Sequence, residues 1–308
     1  MAATDKKTFY AHGKLLLTGE YMVLHGAKAL ALPVKYGQRM TVSEGTEKNI
    51  LNWKAFSPEG LWFWCDLQLP DYAILESSDN EKALVLQEIF RTIGQLNPAF
   101  QPGTSLEIQT RIDFNRAWGL GSSSTLVANL AKWAGVDAFK LNELIFRGSG
   151  FDIACATADG PVFYQKNQVP EPFNLEYPFL DRLYFVYSGA KKGTRGEVAR
   201  FLSEKVVHQN EVDQISHLSG QIARAKDLPE FQRLIAGHEK LVSGLLGMPT
   251  VKSTYFADFD GEVKSLGAWG GDFYLVASQL DKTAVRNYFN TKGLKTIFSW
   301  NELILNER

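Results

Sequence analysis

The run Gly119-Leu120-Gly121-Ser122-Ser123-Ser124-Thr125, preceded by Trp118 and leading into a helix-forming stretch over 122–133, most narrows the folds open to this chain. Two glycines let the backbone bend and approach a ligand without Cβ clashes. The free N–H groups of a helix's first turn, aided by its dipole, then form an anion site. The serines suit three tasks: capping the helix, donating to phosphate oxygens, or ligating Mg²⁺. The same residues also suit a plain Ser-capped helix after a glycine turn. No GxxxxGK[ST] occurs in the chain, Ser124 stands where a dinucleotide GxGxxG needs glycine, and no HRD or DFG is present. Phosphate binding at this run therefore belongs to another fold.

At 308 residues the chain can bury a large core, and two fused domains are expected. The 33 basic and 34 acidic residues nearly cancel, so no global basic field holds nucleic acid or an anionic membrane. No apolar run approaches the roughly 20 residues of a membrane span, and the start MAATDKKTFY lacks the apolar core of a signal peptide. Cys65 and Cys155 are the only cysteines. They suit a reduced, cytoplasmic protein better than a disulfide framework. Metal-ligand spacings such as CxxC or HExxH are absent.

Runs rich in β-branched and aromatic residues, broken by turn formers, predict strands over 28–44 and 50–66, alternation predicts one over 104–112, and further strands are expected over 161–165, 182–188 and 272–278. Helices are expected over 81–96, 122–133, 196–210 and 229–246. Strands and helices without regular βαβ alternation favour an α+β fold. The Pro-rich stretch 168–178 is the expected boundary, dividing the chain into 1–175 and 176–308.

Two further segments carry chemistry. In Ala11-His12-Gly13-Lys14-Leu15-Leu16-Leu17-Thr18-Gly19-Glu20-Tyr21, Lys14 and Glu20 flank an apolar strand. Lys14 can neutralise a transferring phosphoryl group or depress the pKa of a nearby carboxylate; a solvated surface pair is the plainer reading. In Gly148-Ser149-Gly150-Phe151-Asp152-Ile153-Ala154 an Asp follows a small-residue turn and precedes an apolar run. Asp152 can accept a hydroxyl proton, or serve only as an Asx-turn or helix cap. A fourth stretch, Gly267-Ala268-Trp269-Gly270-Gly271-Asp272, is glycine-rich and precedes a strand.

In this order the segments resemble the three motifs of the GHMP kinases. HGKLLLTGEYMVLHG resembles the first motif (PGKxxLxGEYxVxxG), WGLGSSST the phosphate loop, and KSLGAWGGDF the glycine-rich third motif. GSGFDIA is most similar to the mevalonate and phosphomevalonate kinase branch, as is SGAKKGTRGEV over 188–198. The resemblance implies a ribosomal-protein-S5-like N-terminal domain, a ferredoxin-like C-terminal domain, and ATP and Mg²⁺ as cofactors. It implies phosphorylation of a small anionic metabolite, mevalonate or phosphomevalonate first, with a sugar or other alcohol, or a catalytically silent nucleotide sensor, as alternatives. A homodimer is left open.

By the same resemblance Asp152 is the base or orienter for the attacking hydroxyl, with Lys14 beside it and the γ-phosphate. Gly119, Leu120, Gly121, Ser122, Ser123 and Ser124 wrap the ATP phosphates, with Ser123 as a Mg²⁺ ligand. Glu20 and Thr194 stand on the substrate side, and Gly267, Gly270 and Gly271 close the site. The chain departs from the pattern at His12, expected to pack, and at Trp118 and Trp269, either of which could stack on a base or fill a gap, with core filling the plainer reading. It also departs in a shortened stretch between Gly121 and Asp152, which lacks the helix whose Glu ligates Mg²⁺ in relatives. Glu143 is the nearest substitute. Lys35, Arg39, Arg111, Lys191, Lys192 and Arg195 are candidates for gripping an anionic substrate.

Overall fold

A computed structural model describes residues 6–189, 206–267, 269 and 271–306. Chain contacts divide them into two compact units that are not contiguous in sequence. One comprises 1–13, 36–116 and 120–157; the other comprises 14–35, 117–119 and 158–308. The units therefore do not follow the expected division into 1–175 and 176–308. Lys14, Glu20, Trp118 and Gly119 belong by contact to the second unit, while Leu120 to Thr125 and Asp152 belong to the first.

The first unit takes part of β1 (Lys7–Leu16), the second half of β2 (Ala29–Glu44), and β3 (Ile50–Ser57), β4 (Gly60–Gln68) and β5 (Ala73–Ser77). It adds α1 (Asn80–Leu96), β6 (Leu106–Ile112), α2 (Ser122–Ala134), α3 (Ala138–Phe146) and α4 (Phe151–Ala156). Its strands run in the order β5-β4-β3-β6-β2, antiparallel except for the β3–β6 pair. The strand-rich stretch 50–66, expected to be broken by turn formers, is a β3–β4 hairpin, turning at Ser57–Gly60 where Gly60 takes φ 118°. Alternation along β3 buries Leu51, Trp53 and Ala55 on one face. There Trp53 meets Phe90 of α1 edge-on at 6.3 Å, and Tyr72 stacks on Phe90 at 4.9 Å. Asp79 caps α1 by accepting from the Lys82 amide at 3.2 Å. Cys65 and Cys155 are both buried, neither in a disulfide, and burial pushes the Cys65 thiol up to about 12.

In the second unit β7 (Val162–Tyr164) pairs with the first residues of β2, and β8 (Glu171–Pro172) pairs with β7. A second, fully antiparallel sheet follows, built from β9 (Leu183–Tyr187), β10 (Glu262–Leu266), β11 (Phe273–Ala277) and β12 (Ile297–Ser299) in the order β10-β11-β9-β12. Its helices are α5 (Gln209–Ile222), α6 (Leu228–Leu246), α7 (Val251–Tyr255), α8 (Lys282–Thr291) and α9 (Trp300–Leu303). Of the helix expected over 196–210, residues up to 205 lie outside the described ones; the helix observed nearby starts at Gln209. The core gathers Phe256, Phe259, Val263, Tyr274, Val285 and Phe289. No helix among the described residues is long and apolar enough to cross a membrane.

Candidate active site

The phosphate-loop helix α2 starts without a side-chain cap. Its N-cap is Gly121, held at φ 93°, a left-handed conformation that glycine adopts without Cβ strain. The serine-capped alternative is thereby corrected. Ser124 is buried and donates its hydroxyl back to the Gly121 carbonyl at 2.8 Å, and Thr125 donates to the same carbonyl at 3.1 Å. Ser122 is half-buried and Ser123 exposed. The hydroxyls thus divide: Ser124 and Thr125 brace the turn, while Ser122 and Ser123 lie nearer solvent at an N-terminus with positive dipole.

Two residues without a motif signature hold this helix in place. Gln38, buried on β2, accepts from Thr125 Oγ1 at 3.1 Å through its side-chain oxygen, and its carbonyl accepts from Asn129 Nδ2 at 2.9 Å. Asn129 stands out in the sequence only as a polar residue in an apolar stretch, and Gln38, between Gly37 and Arg39, carries no such mark. Asp152 lies in the first turn of α4, whose N-cap is Gly150 at φ 98° with no side-chain cap. Asp152 is therefore not the cap. It is half-buried, and Ile153, Ala154, Cys155 and Ala156 behind it are fully buried. Helices α2 and α4 pack together, with Ala128 and Ala156 meeting Ala11 of β1 in one cluster of small side chains. Small residues at this contact bring the helix carrying Asp152 close to the helix that begins at Gly121.

In the second unit, Gly119 takes φ 66°, and a Cβ built on it would lie 2.2 Å from Oδ2 of Asp272. Any side chain here would require the Asp272 carboxylate to move. Asp272 is buried and itself takes φ 42°, a costly conformation for a residue with a side chain. Gly267 is left-handed at φ 77°. Gly271 is buried, whereas Gly270 lies outside the described residues, as do Thr194, Lys191, Lys192 and Arg195. Lys14 is half-buried on β1.

Glu20 departs most from expectation. Against the plain reading of a solvated pair, it is 3 % exposed. Lys264 Nζ, 1 % exposed, donates to Glu20 Oε1 and to the Ser265 carbonyl at 2.8 Å. His238 Nε2 sits 3.7 Å from Glu20 Oε2 and accepts from the Gly19 amide at 3.0 Å. Burial, with Lys264 nearby, holds His238 well below the usual histidine range, which agrees with an imidazole nitrogen acting as acceptor. Burial raises Glu20, against the opposing pull of Lys264. Burial likewise raises neighbouring Glu239 to about 7, with Lys264 opposing and the Glu20 charge adding to the rise.

The remaining expected residues are engaged in packing or surface pairs. Glu143 is exposed on α3 and paired with Lys140 at 2.8 Å. No group of three acidic, His or Cys side chains able to hold a metal occurs among the described residues. Arg39 lies over the Tyr10 ring at 5.7 Å and Arg111 over Phe56 at 4.7 Å. Lys35 donates to the Asn301 carbonyl at 2.6 Å. His12 meets Tyr10 edge-on at 5.1 Å, Trp118 meets Phe298 at 5.2 Å, and Trp269 is buried, each packing as expected.

No protein-family model and no curated protein matches the sequence. Solved structures do match its fold along nearly the whole chain. Mevalonate kinase of Methanococcus jannaschii aligns with a TM-score of 0.72 at 16% identity, covering 100% of this chain and 99% of that one. Phosphomevalonate kinase of Streptococcus pneumoniae, in complex with phosphomevalonate and AMPPNP, aligns at 0.71 and 17% identity, covering 95% and 99%. Galactokinase of Lactococcus lactis, complexed with galactose, aligns at 0.68 and 12% identity, covering 98% and 94%. With its mixed α and β units and mostly antiparallel sheets, the chain has the fold of the GHMP kinases.

Proposed function

We propose that this chain is an ATP-dependent small-molecule kinase that transfers the γ-phosphoryl group to a small anionic metabolite, with mevalonate or phosphomevalonate the first substrates to test. The observation that carries the reading is the loop of Gly119 to Ser124. There a glycine cradle with no room for a Cβ leads into a helix whose N-terminus has no side-chain cap. Such an end presents several N–H donors to an anion, and the dipole favours negative charge there. Polyphosphate chemistry suits it, since phosphoryl transfer draws its rate from positioning and electrostatics.

In this reading Asp152, on a helix packed against α2, accepts the proton of the attacking hydroxyl or orients it. Lys14 balances charge on the transferring group. The exposed Ser123 hydroxyl fits a Mg²⁺ ion bound with the nucleotide, which would supply charge neutralisation for the phosphates. Glu143, tied to Lys140, is the weaker companion ligand. The fold shared with a phosphomevalonate kinase that binds AMPPNP supports ATP as the donor, and the GSGFD context of Asp152 supports the mevalonate branch.

The test is ATP consumption over mevalonate, phosphomevalonate, homoserine and common sugars, with Asp152→Asn as the comparison. Turnover is expected on an anionic alcohol or phosphate, falling about 10²–10⁴-fold in the variant while Mg·ATP still binds. Full turnover in Asp152→Asn removes the proposed base, and turnover on a sugar alone moves the substrate class. Nucleotide binding without turnover of any substrate favours a sensor, and failure to bind Mg·ATP overturns the kinase reading altogether.

A further inference from the structure

The proposed transfer assigns no chemical step to the buried polar groups around Glu20, yet they join two of the motif segments. Gly19, Glu20 and Tyr21 form the turn after β1, and Lys264 and Ser265 lie on β10, which runs directly into Gly267. All belong to one compact unit. Four contacts tie together the turn, the strand, helix α6 and the glycine-rich segment that follows the strand. Lys264 binds Glu20, His238 accepts from Gly19, and Glu239 accepts from the Ser265 amide at 3.3 Å. The fourth is the most telling: the Trp269 amide, inside the glycine-rich segment, donates to the Tyr21 hydroxyl at 2.8 Å. Tyr21 makes that bond from a buried backbone at φ 61°. A side-chain-bearing residue held there costs of order 1–3 kcal/mol and persists only where its surroundings over-determine it.

Those surroundings are unusually expensive to build. A charged lysine and a carboxylate, both nearly without solvent contact, need partners on every side. Stability alone would be served as well by apolar side chains of the same volume. What the polar version adds is direction: each bond specifies where the turn and the glycine-rich segment stand with respect to one another.

We propose that Tyr21, Glu20 and Lys264 are positioning residues that set the glycine-rich segment from Gly267 onward for nucleotide binding. This rests on the reading of that segment as part of the ATP site. Tyr21 acts directly on the segment through the Trp269 amide, and the Glu20–Lys264 pair holds the turn from which Tyr21 projects.

Two measurements on the full chain test it, with Tyr21→Phe and Glu20→Gln as variants and Tyr288→Phe as a control. Tyr288 donates its hydroxyl to Asp258 at 2.6 Å on the surface of the same unit, so its loss removes a tyrosine bond elsewhere. Amide hydrogen exchange without nucleotide reads the clamp itself. Peptides covering 265–269 are expected to exchange roughly tenfold faster in Tyr21→Phe, with a smaller rise in Glu20→Gln and none in Tyr288→Phe. Mg·ATP titration then reads the consequence: Kd is expected to rise three- to tenfold in Tyr21→Phe, with kcat at saturating ATP within about twofold of the parent. Unchanged exchange in both variants overturns the clamp. Faster exchange with unaltered Kd makes the cluster structural only and overturns the positioning role. If the parent itself binds no Mg·ATP, the kinase reading and the nucleotide role fall together, while the exchange experiment still decides the clamp.

Discussion

At Gly119 a single hydrogen atom decides whether the loop can form. The Asp272 carboxylate occupies the space where any other residue would place its Cβ, and φ 66° penalises a side chain independently. Gly119→Ala is expected to lose more than about 1–2 kcal/mol from the left-handed backbone alone. Displacement of Asp272 adds to that, and affinity for Mg·ATP should fall with it. Thermal melting and nucleotide titration check both; an Ala variant with unchanged melting point and affinity would show that the loop relaxes freely. Asp152 is a different kind of residue. Its backbone is ordinary first-turn helix, so under the proposed role Asp152→Asn is expected to keep the melting temperature and lose turnover.

Between elements, the buried cluster on β10 and α6 makes stability depend on pH. Glu239 is raised from 4.5 to about 7. A carboxyl whose folded-state pKa lies above its unfolded value contributes stability that is complete below about 4.5 and is lost as pH rises to about 7. Near 1.4 kcal/mol per pH unit, the total is about 3 kcal/mol. His238 acts in the opposite sense: held low, it contributes stability above its ordinary value near 6.5 and loses it as pH falls. The two offset one another in the parent, so the informative quantity is a difference. The stability of Glu239→Gln minus that of the parent should climb between pH 5 and 7 and level off above about 8, followed by urea denaturation. A flat difference would mean that Glu239 ionises as it does in water. Removing the cation is harsher. Lys264→Met leaves Glu20 buried without its partner and is expected to cost about 3–5 kcal/mol, part of which returns when Glu20 is also made Gln. Denaturant midpoints of the single and double variants measure that return.

On the scale of the whole molecule, ligand binding and folding are linked by mass action. Mg·ATP at about 100 times its Kd should add about 2.7 kcal/mol and raise the melting temperature by a few degrees, an increase that Gly119→Ala abolishes. Much of the architecture could be anticipated from the chain. Period-3.6 patterns marked α1 and most of α6, alternation marked β6, an apolar run marked β11, and the Gly-Leu-Gly turn marked the start of α2. These depend on bonds and side-chain directions repeated within a few residues, so the local sequence determines them. Helix α5 was largely missed, and the expected break near 168–178 did not describe two units whose segments interleave along the chain. Residue roles divided in the same way. The glycines and Asp152 carried local signatures, whereas Gln38 and Asn129 did not. Glu20 looked like a solvated or rim carboxylate because the groups that bury and pair it come from far along the chain. His238 meets Gly19 across 219 residues, and Lys264 meets Glu20 across 244. Whether a carboxylate is hydrated at a rim or locked in a core depends on the distant groups that surround it. Tertiary structure alone brought those groups together.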